Sequence, residues 1–125
     1  MSFYSKGARA ERELLGILSK KGFIVIRAAG SGVNSISPDV IAIKNSRVYA
    51  FECKFWDREN LDIKKEKIEY LIEIEKHGIK SFIAWKIPRE GWFFINLKEL
   101  KKGNKFYSIS KTKALEINRN IDFLV

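Results

Sequence analysis

Three ionisable side chains stand at the ends of two apolar runs in the stretch SPDVIAIKNSRVYAFECK, residues 37–54. Asp39 opens the first run, and Glu52 and Lys54 close the second. Two carboxylates that lie side by side repel each other, which raises the pKa of one of them unless a cation lies between them. Mg²⁺ takes oxygen ligands and keeps several waters, so the pair predicts a metal site with positions for a phosphate oxygen and an attacking water. Lys54 beside it would hold that water or neutralise charge on a phosphodiester.

Whether the two carboxylates meet depends on the turn that joins the runs. If residues 45 and 46 form a two-residue turn, the register of the hairpin places Asp39 opposite Glu52, with Lys54 on the same face. A four-residue turn gives the same register, whereas a three-residue loop would put the two acids on opposite faces. An alternative interpretation needs no chemistry: Asp39 would be a turn acid after Pro38, and Glu52 and Lys54 would form a cross-strand ion pair at a sheet edge.

The apolar periodicity along the chain predicts the elements that position these residues. The predicted elements are a helix at 8–21, strands at 23–28, 39–44 and 47–54, a polar link at 55–62, a helix at 63–76, and strands at 81–87 and 92–96. Both faces of the hairpin at 39–54 are apolar, which predicts a central hairpin covered on both sides. The order αβββαββ indicates a mixed sheet with helices on its faces.

The pattern weakens after Leu97. We expect a short helix at 97–101, an edge strand at 105–109 and a loosely held tail.

Length and charge restrict the class of protein. A chain of 125 residues predicts one domain, 1–125, and the excess of 24 Lys and Arg over 15 Asp and Glu predicts an acidic partner. Nucleic acid suits a broad basic footprint better than an anionic membrane surface does, although an A/T-rich genome or a hot environment also produces a Lys-rich composition.

The N-terminus lacks an apolar signal segment, and no apolar run is long enough to span a bilayer. We therefore expect a cytoplasmic protein in which the single Cys53 forms no internal disulfide.

The motifs resemble a known family. Pro38-Asp39, twelve intervening residues, and Glu52-Cys53-Lys54 resemble the PD-(D/E)xK nuclease signature. The segment KGARAERELLGIL, residues 6–18, is similar to the opening helix of the archaeal Holliday junction resolvases. This resemblance covers roughly residues 6–87 and implies an α/β, restriction-endonuclease-like core with a central mixed sheet of about five strands flanked by helices.

The resemblance also implies an activity. Members are homodimers, of archaeal or viral origin, that nick two opposing strands of a four-way DNA junction with Mg²⁺ or Mn²⁺ and leave 5′-phosphate ends, without a small-molecule cofactor or a membrane. Carried over by position, the catalytic residues are Glu11, Ser31, Asp39, Glu52 and Lys54. The metal ligands are Glu11, Asp39, Glu52 and the backbone carbonyl of Cys53. The expected DNA-binding residues are Lys6, Arg9, Arg12, Arg27, Ser31, Lys64, Lys65 and Lys67.

Several alternatives stay open at this point. Lys67 stands where the resolvases tend to have Gln, and Glu11 is also explained as a first-turn acid favoured by the helix dipole. A related nuclease with another DNA substrate, of repair or restriction type, or a non-catalytic DNA-structure-binding protein would have the same motifs. The aromatic-rich hairpin at 82–95 is the candidate interface of a two-fold dimer.

Overall fold

The computed structural model describes residues 3–28 and 38–124, with side chains from residue 7 onward. The helices and strands are α1 Phe3–Lys20, β1 Ile24–Arg27, β2 Val40–Lys44, β3 Arg47–Phe55, β4 Asn60–Lys64, α2 Lys65–Glu75, β5 Lys80–Ile87, β6 Gly91–Asn96, β7 Lys101–Lys102, β8 Phe106–Ser110 and α3 Lys111–Ile117. Two 3₁₀ turns lie at Leu97–Glu99 and Ile121–Phe123. None of the helices in this part of the chain is long and apolar enough to cross a membrane.

The main sheet has five strands in the order β1-β2-β3-β5-β6, and β3 and β5 are parallel because α2 crosses between them. The mixed five-stranded sheet flanked by helices is therefore confirmed. Asn45 and Ser46 have φ angles of 51° and 65°, which is the backbone of a two-residue hairpin turn whose twist matches that of the strands. Lys44 pairs with Arg47, and the register continues without a shift to Val40 and Phe51. The predicted register is thus confirmed.

Helices cover the two faces of this sheet unequally. On one face Leu14 and Leu18 of α1 are fully buried with residues of β2, β3 and β5. On the other face α2 buries Ile68 and Leu71 against β5. The β1 end of that second face is open, since Ile24 and Ile26 are 67% and 50% exposed. The prediction of a buried first strand and of a hairpin covered on both sides is wrong there, because α2 packs over the β5 side.

A second sheet was not predicted. Strands β4, β8 and β7 pair in that order, and the inner face of β4 contributes Leu61 and Ile63 to the core beneath α2. The residues interpreted as a polar link at 55–62 therefore include the end of β3 and the start of β4. Likewise β8 is the central strand of this sheet, not an edge strand. The alternation of polar and apolar residues in NLDIK carries the signal for β4.

The C-terminal region is held by specific contacts, so the prediction of a loose tail is wrong. The Arg119 guanidinium donates to both carboxylate oxygens of Glu99 at 2.7 and 3.0 Å, and Leu124 is 5% exposed. The expected helix at 97–101 is a single 3₁₀ turn, Leu97–Glu99, followed by β7. Long-range contacts of this kind leave no periodic signal in a sequence.

The aromatic hairpin β5–β6 is used inside the chain. Phe82, Trp85, Phe93 and Phe94 are all 6% exposed or less. The outer edge of β6 is occupied as well, since the N–H of Phe94 donates to the carbonyl of Arg119 at 3.0 Å. These four rings therefore serve the core of the chain itself, and the interface expected at 82–95 stays a prediction.

Candidate active site

Asp39 lies just before β2 and caps the end of the β2–β3 ladder. Its backbone N–H donates to the Phe51 carbonyl at 2.9 Å. Its carboxylate Oδ2 accepts the N–H of Cys53 at 2.9 Å, the donor that would otherwise lack a strand partner. The carboxylate thus bonds to the neighbouring strand and not within its own turn, which the interpretation as a turn acid after Pro38 would require.

Glu52 is a buried carboxylate between two lysines. The residue is 4% exposed, with Lys54 Nζ 3.3 Å from Oε2 and Lys67 Nζ 3.1 Å from Oε1. The contact between Lys67 and Oε1 is an ion pair at hydrogen-bond distance that lacks good hydrogen-bond angles. Burial raises the pKa of the Glu52 carboxyl and the charge of Asp39 raises it further, whereas Lys54 and Lys67 lower it.

The surroundings of Glu52 and Lys54 exclude a simple edge ion pair. Both lie on one face of β3, which pairs with β2 on one side and β5 on the other, so the ion pair runs along a central strand. Their register partners on β5 are Ile83 and Trp85, both fully buried. Charged groups in such a place require compensation, because burial of an unpaired charge is costly.

Glu11 lies on the other side of the sheet end, where α1 crosses it. Its side chain is 17% exposed and forms an ion pair with Arg27 of β1. Glu11, Arg27, Asp39 and Lys54 line the same cleft, whose volume is 280 Å³. The expected inward orientation of Glu11 is confirmed, and the pairing with Arg27 gives Arg27 a role in holding that acid.

The charges of three acids act on Cys53. Burial raises the pKa of the Cys53 thiol well above its ordinary value, and the charges of Asp39, Glu52 and Glu11 raise it further. However, no three His, Cys, Asp or Glu side chains in the described part of the chain are placed to hold one metal ion. The oxygen atoms of Asp39, Glu52 and the Cys53 carbonyl are the hard ligands that Mg²⁺ prefers, so the donor types at this end of the sheet fit such an ion.

The remaining predicted residues divide into three groups. Ser31 and the side chain of Lys6 lie outside the described residues. Arg9 and Arg12 are exposed on α1, and Lys64 is exposed at the end of β4. Lys65 and Lys67 are half-buried at the start of α2.

Lys67 has a closer relation to the site than the sequence indicated. It was predicted only as a DNA-binding residue, but its side chain is 14% exposed and reaches Glu52. The signal for this position was present, since Lys67 precedes Ile68 and lies one helical turn before Leu71 on the inward face of α2.

A five-stranded mixed sheet with helices on both faces, carrying Asp39, Glu52 and Lys54 where the β2–β3 hairpin ends, defines a nuclease core of the restriction-endonuclease-like class. The family model described as archaeal Holliday junction resolvase (Hjc) matches residues 2–124, and the chain belongs to this family.

Individual relatives agree with this assignment. The chain is 42% identical over 118 residues to the crossover junction endodeoxyribonuclease Hjc of Methanocaldococcus jannaschii, covering 92% of this chain and 84% of that protein. It is 37% identical over 111 residues to the enzyme of the same name from Archaeoglobus fulgidus, covering 86% and 81%. The crystal structure of Archaeoglobus fulgidus Hjc, a Holliday junction resolvase, superposes with a TM-score of 0.82 at 29% identity, covering 95% of this chain and 94% of that one.

Proposed function

We propose that this chain resolves four-way DNA junctions by hydrolysing phosphodiesters in two opposing strands, leaving 5′-phosphate ends. The observation that carries the chemistry is that Asp39 accepts the Cys53 N–H at the end of the hairpin, next to the Glu52–Lys54 ion pair. Membership of the resolvase family supports the choice of substrate. We further propose that residues 1–125 form a single nuclease domain that acts on DNA in the cytoplasm without a small-molecule cofactor.

We propose that Mg²⁺, or Mn²⁺, is held by Asp39, Glu52 and the Cys53 carbonyl, with Glu11 facing the same cleft. The ion would supply a hydroxide-forming water and neutralise charge on the phosphate. Asp39 is fixed in place by the N–H of Cys53, so its free lone pairs keep one direction. Lys54 lies within reach of the Glu52 carboxylate and can hold the attacking water or stabilise negative charge on the phosphodiester oxygens.

We propose that basic residues around the site bind the phosphates of the DNA. The formal net charge of +9 favours association with DNA over a broad surface. Arg9 and Arg12 flank the cleft on α1, and Lys64 and Lys65 lie where α2 begins. We assign Ser31 and Lys6 the same role on family resemblance alone, because both fall outside the described side chains.

The proposed test compares DNA substrates. A synthetic four-way junction and a linear duplex of the same sequence are incubated with the protein in Mg²⁺, Mn²⁺ and EDTA. Paired symmetric nicks in the junction alone support resolution, whereas cuts in the linear duplex would indicate a nuclease of repair or restriction type. Junction binding without cleavage in any metal would indicate a structure-binding protein. Asp39→Asn is the matched variant, since the amide oxygen still accepts the Cys53 N–H, and it should bind the junction without cutting it.

We propose that the active form is a homodimer that buries the open apolar face at β1. Ile24 pairs with Ile43 and Ile26 with Ile41, so these four side chains form one apolar surface on the sheet. The area around Ile24 and Ile26 is the largest aliphatic exposure in the described part of the chain. A second copy is the occupant that suits the activity, because symmetric nicks require two identical sites related by a two-fold axis.

Sedimentation tests the homodimer. The unsubstituted chain should sediment as a dimer, and Ile24→Ser with Ile26→Ser should shift it to a monomer that no longer makes paired nicks. Phe106→Ser removes an apolar side chain that is 44% exposed on the second sheet and serves as the matched control. A double Ile variant that still sediments as a dimer would refute this interface.

A further inference from the structure

The second sheet presents a cluster of lysines that have no acidic partners. Residues 98–113 contain six Lys, of which Lys111 pairs with Asp57, and one acid, Glu99, which is bound to Arg119. Lys101, Lys102 and Lys105, at the β7–β8 hairpin, are all exposed and make no ion pair within the described part of the chain. Such a local concentration of uncompensated positive charge attracts a polyanion.

The hairpin geometry fixes this cluster. The N–H of Gly103 donates to the Phe106 carbonyl at 2.8 Å, and a Cβ at position 103 would lie 2.9 Å from the same oxygen. Only glycine therefore fits this turn. Lys101 and Lys102 lie on β7 just before this turn and Lys105 lies just after it, so the three lysines occupy one end of the small sheet.

The cluster is joined directly to the end of the main sheet where cleavage is proposed. The N–H of Lys65, the first residue of α2, donates to the Lys105 carbonyl at 3.0 Å. Two residues later, Lys67 reaches Glu52 at 3.1 Å. Lys64 and Lys65 lie between the hairpin and the acids, so basic side chains continue from the site onto the second sheet.

We infer that the β7–β8 hairpin, through Lys101, Lys102 and Lys105, is a docking surface for the phosphate backbone of a double-stranded DNA arm that extends beyond the cut. The inference rests on the proposed function and deepens it, since it names a surface that grips the substrate away from the reacting phosphate. Lysine ammonium groups bind phosphates as point charges and release condensed counterions when they do.

The test measures how junction affinity depends on salt. Junction binding is followed by fluorescence anisotropy in EDTA over about 0.05–0.3 M salt, the range in which counterion release dominates. One variant carries Lys101→Gln, Lys102→Gln and Lys105→Gln. The matched control carries Lys20→Gln, Lys76→Gln and Lys80→Gln, three exposed lysines at the C-terminal ends of α1 and α2 and the start of β5. Each triple substitution lowers the net charge of +9 by three.

For the hairpin variant, the plot of log affinity against log salt should become less steep by about 2–3. Its affinity at low salt should be on the order of tenfold lower, or lower still. The control should keep nearly the full slope, and Lys→Arg at the three hairpin positions should restore it. Equal slopes for the two triple variants, with the unsubstituted chain still binding the junction, would overturn the inference. Failure of the unsubstituted chain to bind any junction would instead count against the proposed function.

Discussion

The active-site end of the main sheet and the C-terminal region both contain a partly or fully buried glutamate, but the two are satisfied differently. Glu99 accepts two hydrogen bonds from Arg119 and one from the Asn96 N–H, and its pKa is lowered, chiefly by Arg119. Glu52 is more deeply buried, pairs with Lys54 and Lys67, and has a pKa that is raised, chiefly by burial. Glu99 is neutralised by a two-pronged guanidinium, whereas the two lysines beside Glu52 do not outweigh the effect of its burial on the pKa.

The helix termini show the same contrast. Helix α3 is capped by Ser110, the residue before its first turn, whose hydroxyl accepts the Lys113 N–H at 3.0 Å. Helix α2 begins after Lys64, which makes no capping hydrogen bond from its side chain. The C-terminal helix therefore has the N-cap residue that stabilises helices, whereas α2 has Lys64 at that position.

The largest difference between the two glutamates should be seen in the rate of junction cleavage by their Gln variants. Glu52→Gln removes a negative charge that the proposed metal ion requires and should lower the junction cleavage rate by roughly 10²–10³-fold or more, as expected when a charge-stabilising group is lost. Glu99→Gln should leave the rate close to that of the unsubstituted chain. Single-turnover cleavage of a four-way junction measures both. A fully active Glu52→Gln variant would show that this carboxylate is structural.

The free energy of unfolding should rank the two variants in the opposite order: Glu99→Gln should lower it, and Glu52→Gln should not. Glu99→Gln breaks a charge-assisted pair whose side chains are only 22–23% exposed, and it should lower stability by about 1–3 kcal/mol. Glu52→Gln removes a buried charge whose pKa burial has raised, and it should raise stability, a common property of active-site positions. Urea unfolding in EDTA provides the values. If both variants lose stability equally, Glu52 is as well satisfied as Glu99 and the contrast disappears.

The pH dependence of stability should identify the Glu99 pair. Because Arg119 lowers the pKa of Glu99 below its ordinary value of 4.5, the folded state binds the proton less readily than the unfolded state does. The contribution of the pair is then complete above that value and is lost as the pH falls through the lowered pKa. The stability difference between the unsubstituted chain and Glu99→Gln should therefore shrink in acid. A difference that stays constant down to the lowest pH would contradict the assigned ion pair.

The smallest effects are expected at the helix termini. Ser110→Ala removes the cap of α3 and should cost about 1 kcal/mol. Lys64→Ser introduces a capping hydroxyl at α2 and should stabilise the chain by up to about 1 kcal/mol while weakening junction binding. Thermal unfolding and anisotropy together test this pair. An unchanged affinity for Lys64→Ser would exclude Lys64 from the DNA-binding residues.

Much of the site was predictable because it depends on local geometry. A two-residue turn at Asn45 and Ser46 fixes the register of the hairpin, and period-two alternation then places Glu52 and Lys54 on one face. Helical periodicity likewise placed Glu11 on the inward face of α1. These inferences involve residues close in sequence, for which backbone geometry leaves few choices.

Other parts of the molecule depend on contacts between distant segments. Strand β4 pairs with β8, more than 40 residues further along the chain, and Arg119 finds Glu99 across 20 residues. The burial of the aromatic hairpin and the exposure of β1 also follow from which helix packs on which part of the sheet. Amphipathic patterns show that a face is apolar but not what covers it.

The sequence by itself determined the hairpin, the order of the main elements and the family, because turn chemistry, periodicity and a spaced motif are local properties. Only the tertiary structure decided that Asp39 caps the Cys53 N–H, that Lys67 reaches Glu52 and that the lysines of the β7–β8 hairpin adjoin the start of α2. The physical reason is that burial, desolvation and charge compensation depend on neighbours in space, which packing of the whole chain selects.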